Sequence, residues 1–541
     1  MKRVVVIALS VAGLALLVLA FAQVTSNPAR DLASLVPPGP LLYLEAKDFH
    51  ALVADWNASD EKKLWVSSDN YEVFSRSRLY LRLQQAQNEF AAAAGVPPNM
   101  DLLESVAGGQ SGLALYDIGS LEFLYITRMP ADRFLTTSLW KTRGSYQPRQ
   151  SAGLDYFVKT DAATHRTAGF AAAKDYILLA TREDVLASAL ALIAGQSTAS
   201  VKQEPWFDRS VKAAQSPGEL RMALDLARLV QSPYFRSYWI QRNTTSVRQY
   251  GSAISDVSRE SGAIRENRFL LRAVEETPAW NEAAVSQVVR LAPPSAGFYR
   301  AWASPSSQQV FALVSEKILE PRPQAPPPSQ TAPPQPALGG ETGSESDLET
   351  RIDEAPLETA ANPELAALRR LLAGRSVEAM LHIQSTRVQP DQVFVNVDSA
   401  VALLASSDWD KGAVSAVATP LENAGPLSRS ISAASGRYLI FGNRREFVQA
   451  ALARVSNAAA GSGARYTAVY RHSTVLPDFL RMMRLIDNPL ATTGQGDQEP
   501  PFFSRNLGSL GQSLARVDSE SVSVHDTGSV VTETVVYRMK P

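Results

Sequence analysis

Apolar and polar positions alternate along the chain in short blocks that predict strands and amphipathic helices, after one long apolar run at the N-terminus. Leu41–Glu45 alternates closely enough for a strand, and Asp48–Trp56 reads as a short helix. Ser68 is placed to cap a longer helix over residues 69–94. Tyr71, Phe74, Leu81 and Leu83 are among its apolar positions, and Gly95 with Pro97-Pro98 ends it. Gly112–Tyr116 and Leu121–Thr127 flank Ile118-Gly119, a hairpin signal. A helix over Ala131–Trp140 follows, then strands at Tyr156–Lys159, Gly169–Ala173 and Tyr176–Ala180. Arg182-Glu183-Asp184 opens a helix over Val185–Ala194, with acids where the helix dipole favours them and Gly195 closing it. A strand over Leu220–Leu226, a helix toward Arg248 and a hairpin ending near Val274 complete this half. Hairpins interrupted by helices predict an α+β fold, a mainly antiparallel sheet covered by helices on one side.

The pattern then repeats. Leu35-Val36-Pro37-Pro38-Gly39-Pro40-Leu41-Leu42-Tyr43 is echoed by Leu291-Ala292-Pro293-Pro294-Ser295-Ala296-Gly297-Phe298-Tyr299. Ala171–Leu179 is echoed by Ser432–Ile440, aligning Tyr176 with Tyr438, Arg182 with Arg444, Asp184 with Glu446 and Leu190 with Leu452. Leu103–Leu115 matches Leu368–Met380, and Ser255–Val274 and Ala515–Met539 both read as a polar turn between alternating strands. Two related α+β units are expected, over 31–278 and 286–541. The second has lost part of the segment around Gln203–Phe207 ahead of its strand Tyr466–Arg471. It also carries an insertion, eight prolines from Pro321 to Pro336 and then eight acids against the single base Arg351 from Glu341 to Glu364. Residues 320–362 are expected to be a disordered spacer. A short acid follows a strand at Asp48, Asp225 and Asp398, and each is expected to cap a helix rather than to hold a metal.

Lys2 and Arg3 precede the apolar run Val4–Ala22, whose tail Ala20-Phe21-Ala22 is the small-x-small pattern of signal-peptidase recognition. Nineteen residues lie between a cleaved signal peptide and an uncleaved anchor, so residues 1–22 are expected to be one or the other. Either places the rest of the chain outside the cytoplasm, periplasmic and either soluble or tethered to the inner membrane through residues 4–22. Among 541 residues there is no cysteine, which excludes disulfides, thiol catalysis and cysteine-ligated metals and suits an oxidising compartment. Lys and Arg (53) balance Asp and Glu (54), leaving no field to draw in a nucleic acid.

Leu35–Leu44 (Leu-x-Pro-Pro-x-x-x-Leu-Tyr-Leu), Asp175–Thr181 (Asp-Tyr-Ile-Leu-Leu-Ala-Thr) and Glu204–Phe207 (Glu-Pro-Trp-Phe) resemble a family of uncharacterised exported bacterial proteins, tandemly duplicated here. The resemblance implies location and architecture and brings no activity.

Reactive constellations are missing from the sequence. His50, His165, His382, His472 and His525 are scattered, with no helical zinc pair. Gly108-Gly109-Gln110-Ser111-Gly112 fails the Gly-x-Ser-x-Gly order and reads as a tight turn into a strand, as does Gly374-Arg375-Ser376-Val377. Ser59–Lys62 and Ser138–Lys141 satisfy Ser-x-x-Lys, but the nearest Lys-Thr-Gly imitation, Lys141–Gly144, overlaps the second. Phosphate-cradling glycine loops do not occur, and the pairs Arg369-Arg370 and Arg444-Arg445 are too small for a nucleic-acid footprint. No catalytic, cofactor or metal residue is therefore expected. The sequence points to a non-enzymatic envelope protein that binds or organises a protein or lipid partner. Two alternatives stand beside it, a carrier or chaperone for apolar cargo, which requires an open apolar groove, and a hydrolase whose site assembles from distant residues.

Overall fold

The computed structural model describes residues 31–232, 247–277, 280–319, 363–388, 395–455, 463–487 and 514–540. The expected signal segment with Ala20 and Ala22, residues 233–246 of the helix expected before Arg248, and the insertion 320–362 lie outside the described residues. The chain divides into two compact units, most of 31–275 and most of 276–540.

The first unit is built on ten strands: β1 (Leu42–Ala46), β2 (Ser111–Asp117), β3 (Glu122–Arg128), β4 (Gln147–Ser151), β5 (Leu154–Thr160), β6 (Thr167–Ala173), β7 (Tyr176–Ala180), β8 (Leu220–Leu224), β9 (Tyr250–Glu260) and β10 (Ala263–Arg272). They pair in the order β4-β5-β6-β7-β3-β2-β1-β8-β9-β10, antiparallel from β4 through β9. Helices α1 (Phe49–Ala58), α2 (Asp60–Val66), α3 (Asp69–Ser75), α4 (Arg78–Ala94) and α5 (Met100–Val106) lie between β1 and β2 in the chain. Then come α6 (Ala131–Leu135), α7 (Ser138–Lys141), α8 (Glu183–Ala194) and α9 (Pro205–Ala214), and α10 (Leu226–Leu229) follows β8.

Helices cover both faces of this sheet, not one. All of Tyr176–Ala180 is buried. Leu178 and Ala180 join a core with Leu186 and Leu190 of α8 and Trp206 and Phe207 of α9. Ile177 and Leu179 join another with Ala93 of α4, Leu102 of α5, Phe134 of α6 and Leu139 of α7. A strand apolar on both sides carries no alternation, so periodicity cannot show that its second face is also covered.

Three expected elements break where a small polar side chain interrupts the apolar pattern. The helix expected over 69–94 is two, because the Ser77 hydroxyl accepts the Tyr80 N–H at 3.2 Å and starts α4 afresh. Ala131–Trp140 splits in the same way at Thr137, whose hydroxyl accepts the Trp140 N–H. The strand expected over Leu220–Leu226 stops at Leu224, since Asp225 accepts the Arg228 N–H at 3.1 Å and caps α10. Inside a periodic run, a cap competes with continuation of the element. Asp48 caps α1 as expected, accepting the Ala51 N–H at 2.9 Å. Asp398 does not cap a helix: it sits within a strand and pairs with Arg444 at 2.7 Å.

The second unit has β11 (Phe298–Ala303), β12 (Val377–Val388), β13 (Val395–Ala405), β14 (Thr419–Pro420), β15 (Ile431–Ser435), β16 (Tyr438–Gly442), β17 (Tyr466–Arg471), β18 (Val517–Asp526) and β19 (Val530–Met539). Their order is β14-β15-β16-β13-β12-β11-β17-β18-β19, with only β14 and β15 parallel. Helices α11 (Glu282–Val289), α12 (Ser307–Val314), α13 (Pro363–Leu372), α14 (Lys411–Ser415), α15 (Arg445–Leu452) and α16 (His472–Asp487) accompany the sheet. Here too a core lies on each face, one with Leu439 and Phe441 under α12 and α13, the other with Ile440 under α11 and α15. Among the described residues no helix is long and apolar enough to cross a membrane.

Candidate functional site

The sequence motifs resolve into structural ties. Glu204 accepts the Gly39 N–H with both carboxylate oxygens at 3.2 Å and the Trp206 indole N–H at 3.2 Å. Tyr116 donates to the Pro37 carbonyl at 2.8 Å, and the Val201 N–H to that of Val36. The Pro-Pro-Gly segment and the Glu-Pro-Trp-Phe segment are therefore clamped on each other. Gly108 enters β2 so closely that a Cβ there would lie 2.2 Å from the Arg128 carbonyl oxygen, which explains the glycine without catalysis. The Ser111 hydroxyl bonds the Thr127 hydroxyl at 2.6 Å and accepts from Tyr125 at 3.3 Å, and among the described residues no histidine, lysine or carboxylate hydrogen-bonds to it. Among the described residues no three His, Asp or Glu side chains are placed to hold a metal.

What the fold does assemble is an apolar cavity of about 770 Å³ in the first unit. Its roof is α4 and α5, and its floor is the sheet. On α4 the apolar positions Leu83, Ala86 and Phe90 recur at helical spacing and face inward; Leu103 and Val106 of α5 complete the roof. Leu44, Leu113, Phe123 and Leu179 rise from β1, β2, β3 and β7. The length of α4 matters, because its C-terminal Ala93 and Ala94 are anchored in the core while its N-terminal half overhangs the strands.

Polar groups in the wall are satisfied by one another. Glu45 accepts the Tyr43 hydroxyl at 2.8 Å and the Gln110 side-chain amide at 2.7 Å. Burial, then the Glu45 charge, raises the Tyr43 pKa well above the usual phenol value and keeps it a donor. Tyr125 donates to the Val106 carbonyl at 2.9 Å, and its pKa is likewise raised by burial. Arg166 donates to the Glu89 carboxylate at 2.8 Å and to the Ser120 carbonyl. That hydrogen bond holds the Glu89 carboxyl below its ordinary pKa. The site thus offers a visiting molecule apolar surface and few free hydrogen-bonding groups.

A polar pocket of about 650 Å³ shares Arg166, Thr167 and Thr181 with this wall. In it Arg182 binds Asp184 at 2.5 Å and Glu122 at 3.1 Å, while Glu183 accepts the Tyr156 hydroxyl. The second unit has a similar cluster, Arg444 with Glu446 at 2.9 Å and Asp398 at 2.7 Å.

Sequence reasoning names Leu81 and Leu83 only as apolar positions of a helix. The signal for a cavity was that α4 carries large apolar residues on more than one face. The small Ala86 on α4 leaves space unfilled above the sheet.

No family model matches the chain, and no curated protein matches it. Three crystal forms of TP0453 are among the solved structures that align. Form I is 11% identical, covering 47% of this chain and 83% of TP0453, with a TM-score of 0.24. Forms III and IV are 10% and 9% identical at the same TM-score, covering 46% and 44% of this chain and 83% and 79% of theirs. Likeness at this level assigns neither fold nor function.

Proposed function

We propose that the protein is an exported, non-enzymatic binding protein whose first unit takes up the hydrocarbon chain of a lipid or fatty acid. The observation that carries this is the apolar cavity of about 770 Å³ between α4–α5 and the sheet. Its size falls within the ~300–1,000 Å³ of small-molecule sites. Burying about ten methylenes at ~0.8 kcal/mol each supplies ~8 kcal/mol before ordering costs, the free energy of a micromolar complex. The carrier reading is thereby preferred to the scaffold reading: a scaffold has no use for an unfilled apolar interior. The hydrolase reading has no nucleophile–base pair in this cavity to rest on. Export is inferred from Lys2, Arg3 and the run Val4–Ala22 ending at Ala20 and Ala22.

Division of labour between two copies of a duplicated unit completes the reading. The order β6-β7-β3-β2-β1-β8-β9-β10 has the same succession of connections as β15-β16-β13-β12-β11-β17-β18-β19. The aligned pairs Tyr176/Tyr438 and Arg182/Arg444 fall at the start of β7 and β16 and at the N-caps of α8 and α15. On the face equivalent to the cavity's, the second unit packs Val314, Ile318, Leu371 and Leu372 against Leu439 and Phe441. In this reading the first copy binds and the second is filled.

The test is titration of the full chain with an aliphatic fluorescent probe displaced by a long-chain fatty acid. Ala86→Trp, which fills the cavity from α4, is expected to weaken probe binding at least tenfold with unchanged circular dichroism. Equal binding by both proteins, or no saturable binding by either, would overturn the proposal.

A further inference from the structure

Exposed apolar side chains are concentrated in one stretch of the chain. Of the eleven large hydrophobic side chains exposed among the described residues, six lie between residues 56 and 83: Trp56, Leu64, Val66, Val73, Leu81 and Leu83. They belong to α1–α4. Half-buried rings tie these helices together, Trp65 against Tyr71 and Phe74 with centroids 5.8 and 6.0 Å apart, and Phe74 against Tyr80 at 5.5 Å. The layer therefore presents large apolar side chains to solvent beside half-buried rings, the reverse of what a surface helix gains by doing.

Two observations point to a lipid bilayer as the occupant. The exposed set reaches the cavity at one residue, Leu83, which lines it and is 45% exposed. Secondly, the eight residues Gln23–Arg30 separate the apolar run Val4–Ala22 from Asp31, where the described residues begin. Fully extended they span at most ~28 Å, so wherever the run is retained as an anchor the first unit stays within that distance of a membrane. Charge selects the kind of surface. Residues 49–94 carry five Lys and Arg against six Asp and Glu, so nothing draws them to an anionic leaflet and the contact is apolar.

We propose that α1–α4 lie on a zwitterionic phospholipid bilayer with Leu64, Val73 and Leu81 entering the headgroup region. Docking stands on the exposed residues alone. That a hydrocarbon chain then passes between bilayer and cavity beside Leu83 rests on the binding function proposed above.

The absence of cysteine makes the test clean. Full-length chains carrying Leu64→Cys, Leu81→Cys or, as a control, Leu427→Cys are labelled with an environment-sensitive fluorophore. Leu427 is 93% exposed and lies in the second unit. In phosphatidylcholine vesicles with brominated acyl chains, labels at 64 and 81 should shift to the blue and be quenched at least roughly threefold more than at 427, with little dependence on salt. Adding Leu64→Glu to the Leu81→Cys chain should reduce that quenching. Equal quenching at 81 and 427, quenching indifferent to the glutamate, or a blue shift that grows with protein concentration without vesicles would overturn the proposal. The last would mark a contact between copies of the chain. Probe titration of the same proteins without vesicles reads the cavity separately, so failure of docking and failure of ligand binding are distinguishable.

Discussion

Arg221 and Asp256 form a buried ion pair with two parallel bonds in the first unit, both 2.8 Å, with side chains 8% and 5% exposed. They face each other across β8 and β9, and Asp256 also accepts the Gly218 N–H at 2.9 Å. Removing one partner strands a buried charge. Arg221→Met is expected to cost about 3–5 kcal/mol in denaturant unfolding of the first unit, and Arg221→Met with Asp256→Leu to recover most of it. His382 is the opposite case, a histidine 1% exposed in β12 with no hydrogen-bond partner for either ring nitrogen among the described residues. Burial first, then the Arg300 and Lys317 charges, lowers its pKa to about 3. The unfolded chain therefore takes up this proton near pH 6.5 and the folded one only near 3. The second unit should lose stability as pH falls between these values, by up to ~1.4 kcal/mol per unit. His382→Leu should flatten that slope in thermal unfolding followed against pH. Neither role was legible in the sequence. Arg221 and Asp256 are far apart in the chain, and His382 looks like any isolated histidine. Asp48 and Asp225 were legible as caps because a cap acts within three residues of itself.

Elements were read best where one periodicity ran uninterrupted, as in β2, β3 and α8. They were misread where a hydroxyl inside an apolar run had a choice between staying in the helix and capping the next one, as at Ser77 and Thr137. Helix α9 was missed although Pro205 sits at its first position, a start signal in its own right. Two outcomes test this scale. Ser77→Ala should cost about 1 kcal/mol, seen as faster amide exchange along α4, and should loosen the cavity roof without touching the floor. Glu204→Ala leaves the Gly39 and Trp206 donors without their acceptor and should cost ~1–3 kcal/mol, with Glu204→Gln milder. Exchange protection of the Pro37–Gly39 segment would report it.

At the scale of the whole molecule, the two units share one succession of strand connections, and the expected repeat can be compared with it position by position. Ladder register refines one of its matches. If Tyr43 corresponds to Tyr299, their partners Ala114 and Ile383 correspond, not Ala114 and Ala379 as the alignment of Leu103–Leu115 with Leu368–Met380 requires. Local similarity slid along two apolar strands, which a ladder does not permit. The cavity was legible only as a hint, the large apolar residues on more than one face of α4. It arises from space left between α4 and the sheet, and space has no residue of its own.

Photocrosslinking tests the central claim most directly: the full-length protein is loaded with a fatty acid bearing a diazirine midway along its chain, irradiated, digested and mapped by mass spectrometry. The account predicts adducts on peptides of α4, α5 and β1–β3, around Leu83, Phe90, Leu103 and Phe123, suppressed by excess unlabelled fatty acid and lost in Ala86→Trp. Adducts scattered over the surface, or concentrated in the second unit, would contradict it.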